Sequence, residues 1–434
     1  MLSRILKCAA LLLCTAVVLC GCSIFTADTD ELLNPPELSG ALKPIENALK
    51  KSVSGDYTLK YPTNGSFRSA FVRNDINGDG ILEAFCFYST QSGDTVTLHI
   101  NMITNEDGKW KSTAEQKITA GGVDRVDFCD LDGDGVEEIL VGWEIYGTSE
   151  MQLAVYSYSK GELAQRMLQR YTYFLCCDLD EDSKEEILLI NYNSSESTNY
   201  AGLYKLNGDG VNEVAGCQLD GTVKSVNEPI LSTLSNGRRA VYIDEVKGAG
   251  AITEVVFMEK GVLVNPLLNP ETRENLVTLR ASSISCRDIN GDNIIEIPIQ
   301  EFLPAAGGTT DSLYYTNWCS FNGETLTKQQ STVLNYNDGY YMIIPTKWVG
   351  KLAFSKDIDN RVRGIYSYDP ETQTVGEQMA YIQTFDLKDW ENGEYKKFGL
   401  TEITHINGMV YACFVADPEA IKVEEIKQNF RIYE

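Results

Sequence analysis

Asp75, Asn77, Asp79 and Glu83 stand at positions 1, 3, 5 and 9 of the stretch DINGDGILE. The spacing returns at Asp130, Asp132, Asp134 and Glu138 in DLDGDGVEE, and at Asp178, Asp180, Asp182 and Glu186 in DLDEDSKEE. It returns again at Asp288, Asn290, Asp292 and Glu296 in DINGDNIIE. Side chains on alternate residues of a tight loop can face one centre, and a glycine such as Gly80 permits the bend. Glu83 can bind through both oxygens, and the carbonyl of Ile81 supplies one more. Such an oxygen set suits calcium, which takes about six to eight oxygens in a flexible cage. The rival reading is a polar turn in which Asp and Asn bond their own backbone. A turn, however, does not require a carboxylate at position 9 each time. An EF-hand is excluded. It needs glutamate at position 12, where these loops carry Cys86, Val141, Leu189 and Ile299, and it needs flanking helices.

Other chemistry is sparse. The chain has two histidines, His99 and His405, too few to assemble a nucleophile–histidine triad or a histidine-rich metal centre. His99 alternates with Leu98 and Ile100 and is expected to point outward from a strand. His405, in EITHING, is expected near a turn. No P-loop, GxSxG or HExxH stretch occurs. Paired carboxylates for glycoside hydrolysis need only Asp and Glu, so a carbohydrate-active enzyme stays open as the alternative to a binding protein. Trp110, Trp143, Trp318, Trp348 and Trp390 could stack on sugars, although Trp143 sits in an apolar run and reads as core.

The acidic loops are set in a repeating text. From about Tyr57 to Leu334, short runs rich in Tyr, Val, Ile and Thr alternate with Gly, Asn and Asp turns. A second landmark, a hairpin turn carrying glycine, falls at Gly108, Gly161, Gly208, Gly261 and Gly323 and recurs roughly every 50 residues. Each module reads as strand, acidic loop, strand, strand, hairpin turn, strand. The fourth keeps its strands, but its loop has become LSNGRR around Asn236. The expected fold is therefore mainly β, a β-propeller of about five four-stranded blades followed by a small α+β domain. Five modules are preferred, with a sixth blade built from the N-terminal strand and later segments as the alternative.

With strand flanks and acids at positions 1, 3, 5 and 9, the pattern resembles the FG-GAP/VCBS repeats of integrin α-subunit propellers and bacterial surface proteins. The resemblance implies structural calcium in the loops. It is strongest in the first two modules. The third has Glu181 and Ser183 where glycines are usual, and the last has Asn293 at the bend. Position 9 is usually aspartate in integrins and is glutamate here.

The ends of the chain read differently. MLSRILK followed by CAALLLCTAVVLC is a basic start and an apolar run short for a membrane span. It closes in LCGC, which resembles a bacterial lipobox. That implies a signal peptide over residues 1–21 and lipid on Cys22, against the alternatives of an ordinary secretion signal or an N-terminal anchor. Residues 22–54 read as a tether ending in a short helix from about Pro44 to Val53, residues 55–334 as the propeller and residues 335–434 as the C-terminal domain. The latter opens with YYMIIPTKWVGK, which resembles small PsbP-like domains, and its core is expected around Tyr340, Tyr341 and Trp348.

The eight cysteines beyond Cys22 fall mostly in apolar runs and are read as free thiols in preference to disulfides. A net charge of −25 disfavours nucleic acid and suits cations. Together these features lead to an expected membrane-anchored lipoprotein facing outside the cytoplasm. It would be calcium-stabilised and would bind an extracellular protein or glycan. The alternative is the enzyme with carboxylates in the propeller funnel.

Overall fold

The computed structural model describes residues 40, 42–93, 95–193, 198–309, 312–393 and 395–433. The signal peptide, Cys22 and most of the tether lie outside these residues. Within them, no helix is long and apolar enough to cross a membrane.

Six antiparallel sheets follow one another along the chain. Sheet two shows the unit most simply, in the order Gly122–Cys129, Glu138–Glu144, Met151–Ser159 and Glu162–Tyr171. Sheet three repeats it with Tyr173–Cys177, Glu186–Asn193, Thr198–Asn207 and Gly210–Leu219. In sheet one, Thr58–Leu59 and Phe71–Asn74 share the first position beside Glu83–Ser92, and Thr95–Glu106 and Lys109–Ile118 complete it. Sheet four has Ser225–Val226 and Ile230–Thr233 in that position, then Arg239–Lys247, Gly250–Glu259 and Val262–Val264. This is the four-stranded meander of a propeller blade, read correctly from alternation and turns. The hairpins explain the glycine landmark. Asp107–Gly108, Lys160–Gly161 and Lys260–Gly261 all have positive φ at both residues, the two-residue turn whose twist matches a hairpin.

Alternating side chains give each sheet two apolar faces, and neighbouring faces pack. Phe85 and Phe87 of sheet one meet Val141 and Trp143 of sheet two in one core. Leu140 and Leu153 meet Ile187 and Leu189 in the next, and Leu188 and Ile190 meet Val241 and Ile243 in the third. Tyr242 and Phe257 meet Ile297 and Phe321 in the fourth. At the start of the succession, Ile45, Ala48 and Leu49 of helix Lys43–Ser52 cover Phe71, Cys86 and Tyr88 on the outer face of sheet one. An end sheet has no neighbour to cover its outer face, and an amphipathic helix does so here. Among the described residues no apolar core joins sheet one to sheet five or six.

The break expected at 334/335 is not a seam. Strand Leu326–Asn335 spans it, Tyr340–Ile343 pairs with that strand, and Phe430–Ile432 pairs outside Tyr340–Ile343. Sheet five thus contains Ile297–Leu303, Leu313–Phe321, Leu326–Asn335, Tyr340–Ile343 and the end of the chain. A sixth sheet, Leu352–Asp357, Val362–Asp369, Thr374–Asp386, Met409–Val415 and Thr401–Ile406, packs on it through Tyr340, Trp348, Phe354 and Ile382. Sheet six departs from the simple meander, because Met409–Val415 pairs with Thr374–Asp386 and Thr401–Ile406 lies outside it. The strand at Thr58 joins sheet one and does not start a sixth blade.

Two smaller expectations also change. His99 is buried, not outward. It lies flat on Tyr88 at 4.5 Å, its Nδ1 meets Glu115 and its Nε2 meets Thr90 Oγ1 at 2.8 Å. Trp143, Trp318, Trp348 and Trp390 are all buried, so they form no sugar-stacking platform. The eight described cysteines are free thiols, six of them buried.

Candidate metal centres

Loops one, two and three join the leading strand of a sheet to the next strand, and loop five stands in the same place, closed by the Arg287–Glu296 bridge ahead of strand Ile297–Leu303, so all lie toward one edge of the succession. Adjacent loops are tied together. Glu137, beside the closing glutamate of loop two, donates its N–H to Ile76 O at 2.7 Å, and its carboxylate accepts from Asn74. Glu185 does the same for loop two from loop three, its carboxylate accepting from Asp130 N at 3.1 Å.

Within a loop the backbone takes one oxygen of most acids. In loop two, Asp130 Oδ1 and Oδ2 accept from Gly133 N and Gly135 N at 2.8 and 3.0 Å. Asp132 Oδ1 and Asp134 Oδ1 accept from Asp134 N and Val136 N at 3.1 and 2.8 Å. Glu138 Oε2 accepts from Leu131 N at 3.1 Å, and its Oε1 from the hydroxyl of Ser157 at 3.0 Å. Loop one repeats this through Asp75, Asn77, Asp79 and Glu83. Loop five repeats it through Asp288, Asn290, Asp292 and Glu296. The polar turn and the oxygen cage are therefore one structure: the Oδ1 atoms at positions 3 and 5 fix the turn, and in loop two the Oδ2 atoms of Asp132 and Asp134 are left over. The bend needs left-handed backbone at positions 4 and 6, which Gly133 and Gly135 supply with φ of 74° and 85°.

Carboxylate oxygens converge in two loops. One oxygen each from Asp130, Asp132 and Asp134 lies within 4.8 Å of the others, and so do oxygens of Asp178, Asp180, Asp182 and Glu186. Loops one and five carry Asn77 and Asn290 at position 3, and among the described residues they form no such group of three acids. In loop five the amide nitrogen of Asn290 also lies 3.0 Å from Asp292 Oδ2 and 3.1 Å from Glu296 Oε1. Loop two fits calcium best. Its donors are hard anionic oxygens, and no lysine or arginine pairs with them among the described residues. Bound there, calcium would neutralise the clustered charge, with Asp130, Asp132, Asp134 and Glu138 holding it.

Burial pushes the Glu138 and Glu296 carboxyls up to about 7, with the neighbouring aspartates adding to the effect. Protons and metal then compete for the same oxygens. Calcium affinity is expected to fall up to about tenfold per pH unit below pH 7 for each such glutamate. Titration calorimetry at pH 8 and pH 6 would show it, and equal affinities would contradict it. The metal-free protein has the opposite slope. The folded pKa lies above the unfolded value near 4.5, so this contribution to stability is full below pH 4.5 and is lost as pH rises through 7.

A cleft of about 590 Å³ is lined from the first four sheets, by the segment 64–68 ahead of Phe71, by strands of sheets two and three, and by Glu228 between the two short strands that open sheet four. Its lining includes Arg68, Asp124, Arg125, Tyr171, Tyr173 and Glu228. Asp124 is buried, and both its oxygens are engaged, Oδ1 by Asn64 Nδ2 at 2.6 Å and Oδ2 by the Tyr171 hydroxyl. Arg125 lies over the rings of Tyr173 and Phe174 at 4.9 and 4.6 Å and pairs with Asp127 at 2.7 Å. Tyr173 donates to Glu228 at 2.9 Å, while Arg68 is exposed. None of these residues belongs to a repeated motif. Sequence reasoning passed over them because their meeting depends on how the sheets stack.

These features define a propeller-like repeat protein with FG-GAP-type acidic loops. Residues 75–141, spanning loops one and two, match the family model for an FG-GAP-like repeat. Among curated proteins nothing matches. Among solved structures, the chain is similar to a periplasmic gluconolactonase of Pseudomonas aeruginosa at 10% identity and a TM-score of 0.31, covering 74% of this chain and 94% of that one. It is similar to a rhamnogalacturonan lyase of Bacillus licheniformis at 11% identity and a TM-score of 0.31, covering 83% and 89%. An exo-β-1,3-galactanase of Phanerochaete chrysosporium follows at 9% identity and a TM-score of 0.24, covering 76% and 81%.

Proposed function

We propose that this chain is an extracellular binding module, held to the membrane by lipid on Cys22 and stiffened by calcium in its acidic loops, that takes a glycan in the cleft lined from its first four sheets. The cleft carries the reading. It offers hydrogen-bond donors in Arg68 and Arg125 and a carboxylate acceptor in Glu228, with the Tyr173 ring holding Arg125 in place, a mixture suited to the hydroxyls of sugars. Asp124 has both oxygens committed to neighbouring side chains, which suits a positioning role better than proton transfer. Calcium in the loops fits the same picture, because it would rigidify the edge that ties successive sheets together without itself touching the ligand.

The test is binding of defined oligosaccharides, neutral and acidic, to the chain from Thr26 onward in calcium, followed by Arg68→Ala. A charged hydrogen-bond donor is worth about 1.5–3 kcal/mol, so this variant should lose roughly ten- to a hundredfold in affinity with no change in melting temperature. A ligand whose affinity ignores the substitution would place recognition elsewhere, at a protein partner's surface for example. Release of new sugar ends would replace the binding reading with the enzyme.

A further inference from the structure

Loop three has all four acids, yet its surroundings differ from those of the other loops. Lys205 of strand Thr198–Asn207 extends its ammonium to 2.6 Å from Asp180 Oδ2, 2.7 Å from Asp182 Oδ2 and 3.0 Å from Glu186 Oε1. Those oxygens belong to three of the four acids that converge there. Arg239, from the module-four loop that has lost its acids, lies 3.9 Å from the remaining one, Asp178. The strand register explains how Lys205 arrives. Ile187 pairs with Tyr204, which puts Lys205 opposite Glu186. In the other three loop-bearing sheets, the residue opposite the closing glutamate is a small hydroxyl: Thr104 opposite Glu83, Ser157 opposite Glu138 and Ser320 opposite Glu296. Among the described residues, a cation-bearing side chain reaches the converging carboxylates only in sheet three; in loop two, Lys184 reaches the Asp132 carbonyl at 2.6 Å but no carboxylate.

We propose that loop three is a calcium-type site in which the chain supplies its own cation: Lys205 occupies the position of the metal, and this module holds its loop without calcium while loop two depends on it. The inference rests on the calcium reading of the loops. An ammonium has three N–H donors and no acceptor, which matches three carboxylate oxygens and leaves no room for a second cation. The backbone of loop three adds a reason for such a clasp. Its left-handed positions are Glu181 and Ser183, with φ of 60° and 70°, where loop two has glycines. Side chains there oppose the bend by roughly 1 kcal/mol each, and a tethered cation, always present, holds the loop whatever the calcium concentration.

The experiment compares calcium stoichiometry of the chain from Thr26 onward, by equilibrium dialysis and calorimetry, with that of Lys205→Met. Methionine keeps the apolar stem and removes the charge. The variant should bind one more calcium per chain than the parent, melt lower in EDTA and recover in calcium. Equal, non-zero stoichiometry in the two proteins would overturn the Lys205 assignment and leave the calcium reading intact. No binding in either would overturn the calcium reading and the assignment with it. Should Lys205→Met fail to fold, Asp134→Asn and Asp182→Asn in the parent decide the matter. The first should lose one equivalent of calcium and the second none. Loss of one equivalent from Asp182→Asn would show metal, not lysine, in loop three.

Discussion

The chain from Thr26 onward is expected to melt several degrees to on the order of 10 °C higher in millimolar calcium than in EDTA, and magnesium should not reproduce the shift. In loop two, three carboxylates bring an oxygen within 4.8 Å of one another, and Glu138 beside them is buried. Burial pushes the Glu138 carboxyl up to about 7 and the neighbouring aspartates add to the effect, so the group resists full ionisation without a cation. A ligand present at about a hundredfold its dissociation constant stabilises the folded state by about 2.7 kcal/mol for each site. The effect should reach beyond one loop, because Glu137 and Glu185 tie loop to loop and through them sheet to sheet. Magnesium is smaller, demands near-octahedral geometry and gives up its waters reluctantly, so it fits a loop of this kind poorly. Scanning calorimetry in the three conditions makes the measurement. No calcium shift would mean that DINGDGILE and its copies are polar turns kept for their bend.

Arg280→Ala is expected to destabilise the protein by about 3–5 kcal/mol in any concentration of calcium. Arg280 lies in the long segment between sheets four and five, and its side chain is fully buried. Its Nη2 is 2.8 Å from Asp244 Oδ1, its Nε donates to Ile284 O at 2.7 Å, and Nη1 donates to Thr253 Oγ1 at 3.0 Å. Asp244 in turn accepts from Thr253 Oγ1 at 2.6 Å and from Cys286 N at 2.8 Å. The pair thus pins the segment 280–286 onto strand Arg239–Lys247, in the one module of the first five without an acidic loop. Alanine leaves the Asp244 carboxylate in the interior with no counter-charge. The double variant Arg280→Met with Asp244→Leu removes both charges and should recover part of the loss. Urea unfolding of the three proteins tests this. A loss below about 1 kcal/mol in the single variant would show that water reaches Asp244 once the arginine is gone.

Strands, loops and hairpins were legible in the sequence because their causes are local. Alternating apolar residues need only one sheet face to bury, a two-residue turn with glycine needs only its own φ angles, and an Asp at position 1 bonds amides five residues away or fewer. Lys205 was half legible. It stands at the same offset from Glu186 as Ser157 does from Glu138, so superposing modules two and three on their acidic loops exposes the substitution. The burial of His99 was not legible, because alternation says which residues share a face but not whether a helix or a partner such as Glu115 covers it.

The sequence by itself determined the module: four strands, an acidic loop between the first two, a glycine turn between the last two, and the acids that stand ready for a cation. Tertiary structure decided what the modules do together. The register of strand Thr198–Asn207 sends a lysine into loop three, and the equivalent strands of sheets one, two and five put hydroxyls opposite the other closing glutamates. The pairing of Tyr340–Ile343 with Leu326–Asn335 carries sheet five past the point where the acidic motif ends. The cleft needs residues from four sheets, spread from Asn64 to Glu228, to share one space. Contacts of that reach depend on how sheets stack and on the register of distant strands. Both are settled by burying faces against each other, and no short window of sequence contains either.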